Sequence, residues 1–159
     1  MNSLRMVLAA LLVVFLTVSR AAFALGQERY VEETPSPGSF PIVQDHATAT
    51  IYADANDYLG VIRAAGDSKT DVERVTGLSP KVVHDEKSLG ENVILIGTIG
   101  HSQIIDRLIR EKKIDVSPIA GKWESFFLQV VPDPLPGVKN GLVFVGSDNG
   151  GEFSQDGDG

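Results

Sequence analysis

Asn92-Val93-Ile94-Leu95-Ile96-Gly97-Thr98-Ile99-Gly100-His101-Ser102 is the stretch that decides the fold of this 159-residue chain. Four consecutive apolar residues of strand type, Val93–Ile96, run into a Gly-x-x-Gly turn. Ser102 then stands where a helix N-cap belongs, and Gln103–Lys113 follows with Ile104, Ile105, Leu108 and Ile109 on one face. Asp106 lies near the start of that helix, and Arg110, Lys112 and Lys113 lie at its end, the order that the helix dipole favours. Strand, tight turn and helix form the working unit of an α/β fold, in which ligands gather where strand ends meet helix N-termini. Gly97–Ser102 could hold a phosphate or carboxylate there. It lacks the third glycine of a dinucleotide fingerprint, however, and reads first as a packing turn.

Outward from this unit, Ala47–Ala53 reads as the first strand, and Asn56 or Asp57 as the cap of a helix from about Tyr58 to Thr76. Tyr58, Val61, Ile62, Ala65, Val72 and Val75 share that helix's apolar face. Gly77 is placed to end it, and Pro80 bars continuation. Lys81–His84 is a short second strand and Val93–Gly97 the third. Trp123–Val131 is the fourth, stopped by Pro132, Pro134 and Pro136, and Leu142–Gly146 is the fifth. The order β-α-β-β-α-β-β predicts an α/β fold: two-layer, with a mixed β-sheet and two helices. Val93–Ile96 and Leu142–Val145 are apolar on both faces, as strands are in a sheet covered on both sides. Two helices suffice for one face, and nothing in the chain is left for the other.

The ends read differently. Met1–Ala24 carries Arg5, the apolar run Met6–Val18 and the small-x-small site Ala22-Phe23-Ala24, the pattern of a secretory signal peptide cleaved after Ala24. Residues 25–46 hold Pro35, Pro37, Gly38 and Pro41 and read as a leader or linker without a core. Residues 47–147 form the α/β domain, and 148–159 an acidic, glycine-rich segment expected to be disordered. The net charge of −7 becomes −9 once Arg5 and Arg20 leave with the signal. An acidic secreted chain suits neither nucleic acid nor anionic membrane surfaces. It holds no cysteine, so a conventional core must stabilise it.

Several segments together resemble the N-terminal region of glycoside hydrolase family 115, the xylan α-1,2-glucuronidases. They are Ile51-Tyr52 with Asp57-Tyr58, Gly60–Asp67, Asp71–Gly77, Val93–Ser102, Lys122–Phe126, Pro134–Gly137 and Val145–Asp148, in the family's order across about residues 41–150. The resemblance implies a secreted multidomain hydrolase that removes glucuronic acid from glucuronoxylan, with this α/β domain preceding a barrel that carries the catalytic acids. The pattern departs after Asn149, where an apolar helix is expected and Gly150-Gly151-Glu152-Phe153 stands instead. The expectation is a truncated N-terminal domain, non-catalytic and inactive alone, with the downstream catalytic domain as its missing partner. The alternative is an independent secreted carbohydrate-binding module. Nucleotide binding at Gly97–Ser102 fits poorly with secretion and acidity.

Site residues are few. No catalytic pair is assigned, although Glu124 and Asp148 are the best placed of 21 acids. Ser147 and Asp148, after the fifth strand, are candidates for substrate binding on the same rim as Gly97–Ser102. Trp123 could stack on a sugar ring, but its spacing with Phe126 and Leu128 reads first as core. His46, His84 and His101 have no ligand spacing, so no metal and no cofactor are expected. Asp156-Gly157-Asp158-Gly159 resembles the opening of a calcium loop without its later acid.

Overall fold

A computed structural model describes residues 31, 32, 34 and 36–147. The chain divides into two units, Met1–Thr34 and Pro35–Gly159. In the first, the three described residues are exposed. The proposed signal peptide, its cleavage after Ala24, and the segment 148–159 with Asp148 lie outside the described residues.

The second unit is α/β, as the pattern of residues implies. Its elements are β1 (Val43–Gln44), β2 (Ala47–Thr48), β3 (Thr50–Ala53), α1 (Leu59–Thr76), β4 (Val82–Val83), β5 (Asn92–Thr98), α2 (Gln103–Arg110), β6 (Phe126–Leu135) and β7 (Val138–Gly146). β1 and β2 form a small antiparallel sheet, while the other strands form a mixed sheet in the order β4-β3-β5-β7-β6. All its neighbours are parallel except β6 and β7. The stretch expected to be a plain leader contributes to this unit: Phe40 and Ile42 pack against the core, and Val43–Gln44 pair with β2.

Strand order dictates where the helices go. The step from β3 to β4 moves one way across the sheet and the step from β5 to β7 moves the other. Right-handed connections then put α1 and α2 on opposite faces. The packing agrees. Ala65 of α1 joins Ile51, Ala53 and Ile94, whereas Ile104, Ile105 and Leu108 of α2 join Tyr52, Leu95 and Val143. The segment after α2 adds buried Ile114, Val116 and Ile119 to the α2 side.

Among the described residues, one part of the sheet has no such cover. On the α1 side, Ile96, Phe144 and Leu128 stand abreast across β5, β7 and β6, and Ile94, Leu142 and Val130 form the next row. Residues paired across strands share a face, so these rows form one apolar surface, continued by Phe126 beside Gly146. Phe126 is 77% exposed and Leu128 47%. The uncovered surface is therefore smaller than the one whole bare face expected from the sequence, and it lies where α1 does not reach.

The helix ends follow their residues. Gly77 ends α1 with φ +73° and donates its N–H to Glu73 O. α1 has a weaker apolar face than its sequence suggests: only Ala65 is buried, and Val75 is exposed. β6 runs through Pro132 and Pro134, which were expected to stop it, with a register shift between Pro132 and Leu135. It turns into β7 through Pro136-Gly137. Gly137 has φ +83°, the pairing of proline and left-handed glycine that a type II turn requires.

Candidate functional site

β3 feeds α1 towards one edge of the sheet and β5 feeds α2 towards the other, so the C-terminal ends of β3 and β5 flank a topological switch point. Crevices at such points are where open α/β sheets bind ligands. A crevice of about 1030 Å³ lies to one side of this switch point, between the ends of β3 and β4 and the side of α2, and reaches Pro136.

Asp54, the first residue after β3, lines it and is buried. One oxygen accepts the Asn56 N–H at 3.0 Å; the other accepts the Gln103 N–H at 3.1 Å and the Tyr52 hydroxyl at 3.4 Å. Asp57, also buried, accepts the Tyr58 N–H and the Thr98 N–H, both at 2.8 Å. The two acids of the β3–α1 turn thus hold both ends of the β5–α2 turn. Asp54 takes up a backbone donor at the start of α2, where an external anion would otherwise sit. Ser102 occupies the N-cap position, yet its side chain makes no cap bond and its buried Oγ has no partner. Gly97–Ser102 is a packing turn.

The opposite wall comes from β4 and the turn beyond it. His84 Nδ1 lies 2.8 Å from Ala53 O. A carbonyl only accepts, so Nδ1 carries the proton and a neutral His84 leaves Nε2 as a bare acceptor. Arg107 on α2 reaches Glu86 at 2.6 Å, and that bond raises the guanidinium's already high pKa. Arg110, one turn further along α2, and Lys87 also line the crevice. Above the β5–α2 turn, the Tyr58 and His101 rings lie 4.2 Å apart.

Burial, reinforced by the Asp54 charge, pushes the Tyr52 phenol up from 10.0 to about 12. This phenol therefore leaves folding stability unchanged below about pH 10. Stability falls between pH 10 and about 12, where the unfolded chain sheds a proton that the folded chain keeps. Urea midpoints measured at about pH 9 and about pH 11.5 should show the drop, and Tyr52→Phe should shrink it.

The candidates from the sequence lie elsewhere. Ser147 is buried; it donates its N–H to Ser125 O and accepts the Ser125 N–H at 3.3 Å, closing the start of the β6–β7 ladder. The Ile99 N–H donates to Gly146 O, so the β5–α2 turn and the end of β7 do adjoin. Glu124 is exposed, with φ +47°. Trp123 is 67% exposed and stands outside the core, in the turn before β6. Among the described residues, no three histidine or acidic side chains cluster as a metal site would require, and no helix is long and apolar enough to cross a membrane.

Asp54, Glu86 and Arg107 were not singled out in the sequence, His84 was weighed only as a metal ligand and Arg110 only as a charge at a helix end, because the strand ends and α2 that bring them together are far apart in the chain. The one local signal was a pair of acids, Asp54 and Asp57, placed directly after a strand. Neither a family model nor any curated protein matches the chain.

Proposed function

We propose that this chain is the N-terminal, non-catalytic domain of a secreted xylan α-1,2-glucuronidase of glycoside hydrolase family 115, acting beside a catalytic barrel carried by polypeptide outside this sequence. The observation that supports this reading is the apolar surface of Ile96, Leu142, Phe144, Leu128 and Phe126, of which Phe126 and Leu128 are exposed and the others only partly buried. Strands apolar on both sides stabilise a fold only when both sides are covered. Covering side chains of the size of Phe126 and Leu128 contributes roughly 2 kcal/mol each, enough to make a docked neighbour matter. The resemblance of the ordered segments supplies the enzyme class.

The purified chain is expected to release no glucuronic acid from glucuronoxylan. It should associate through the apolar surface, and Phe126→Asp/Leu128→Asp should return it to monomer by light scattering. Release of glucuronic acid, or a wild-type chain that stays monomeric and binds no hydrophobic dye, would overturn the reading. A second reading, an independent secreted carbohydrate-binding module, is favoured by the exposure of Trp123. Saturable binding of xylan oligosaccharides that Trp123→Ala abolishes would select it.

A further inference from the structure

We propose that Ser36 is an O-glycosylation site. It stands in the run Thr34-Pro35-Ser36-Pro37-Gly38-Ser39, the mixture of hydroxyl residues and prolines that carries O-linked sugars on exported chains. The proposal rests on the secreted reading, because it needs the sugar donors of the secretory route.

Ser36 opens a tight turn. Its carbonyl accepts the Ser39 N–H at 3.0 Å, with Pro37 second in the turn and Gly38 third at φ +88°, the arrangement of a type II turn. Residues 36–39 are all exposed, and packing against the core begins with Phe40 and Ile42. A transferase can therefore close around this turn without disturbing the core, and a bulky surface sugar can stay on it.

In the second unit, Ser36, Ser79 and Ser117 each precede a proline and are exposed. Their hydroxyls differ. Ser79 Oγ donates to Glu73 at 3.0 Å. Asp115 accepts the Ser117 N–H at 2.9 Å and bonds its hydroxyl as well. Within the turn, Ser39 Oγ donates to Ser36 O at 2.9 Å and accepts the Ser36 N–H at 3.1 Å. Ser36 Oγ has no partner among the described residues. It meets a transferase ready to react, whereas the others must first give up a bond. The step is a substitution at the anomeric carbon of a glycosyl phosphate donor. Ser36 Oγ forms the new C–O bond, the bond from that carbon to the donor phosphate breaks, and the hydroxyl proton leaves with the phosphate.

The test is to express the full chain with its own N-terminus in a yeast, then take the intact mass and peptide map of the exported protein. The mass should exceed that of the polypeptide by whole hexose units, with occupancy at Ser36 several-fold above that at Ser39, Ser79 or Ser117. Ser36→Ala should remove the increment mapped to this position and Ser36→Thr should restore it, with the urea midpoint unchanged in both. An exported chain bare at Ser36, phosphate there in place of hexose, or equal occupancy at Ser79 and Ser117 would overturn this proposal alone. A chain that is not exported would overturn the secreted reading together with it.

Discussion

Gly97→Ala should destabilise the protein by about 3 kcal/mol, at the upper end of what one added methyl costs in a packed interior. A Cβ at this position would lie 2.6 Å from Ser102 Cβ and 2.8 Å from both Ser102 Oγ and Ile105 Cγ1. Two of those atoms belong to a residue held against the backbone, not to the free end of a long side chain. The new methyl can be accommodated only if α2 moves off β5, and Ile104, Ile105 and Leu108 would move with it. Urea denaturation provides the measurement: the midpoint should fall with an unchanged slope. Gly60→Ala on α1, where an added Cβ meets nothing within 4 Å, should instead gain up to about 1 kcal/mol. An unchanged midpoint for Gly97→Ala would mean that the close approach of α2 to β5 is not required.

Asp54→Ala is the second large effect, again about 3 kcal/mol, for a different reason. It strands the N–H of Gln103, the N–H of Asn56 and the hydroxyl of Tyr52 together. Each buried group left unpaired costs about 1–3 kcal/mol, less whatever water recovers. Asp54→Asn keeps one carbonyl oxygen and should lose roughly half as much. Hydrogen exchange localises the damage: in Asp54→Ala the first-turn amides of α2 should lose protection well before those of β7. Equal protection in both variants would show that the start of α2 does not depend on this carboxylate.

The architecture was legible because it rests on local patterns. Val93–Ile96 leading into Gly97 and Ser102 announces strand, turn and helix, and the observed β5 and α2 start within a residue of that reading. Gly77 marks the end of α1 for the same reason, since a left-handed residue there is a matter of backbone sterics. Where sequence reading failed, tertiary position overrode local chemistry. Pro132 and Pro134 look like strand terminators, but β6 borders the sheet and its outer side needs no N–H donors. Trp123 has the spacing of a core residue with Phe126 and Leu128, yet all three are exposed among the described residues. The crevice was least legible. His84 and Arg107 face it from different elements, and only the order of the strands brings them together.

The same border strand has a consequence for how this protein can meet other chains. Ser147 and Ser125 exchange bonds at the head of the β6–β7 pair, so Phe127, Gln129 and Val131 point their amides inward, and Phe126, Leu128 and Val130 point theirs away from the sheet. The next amide in that outward series belongs to Pro132, and it does not exist. A foreign strand arriving at this border could zip along Phe126–Val130 and would then run out of donors, where Asp133 and the bulge also bend the rail away. Fibril-like propagation from this edge is thereby limited to a short, frayed start.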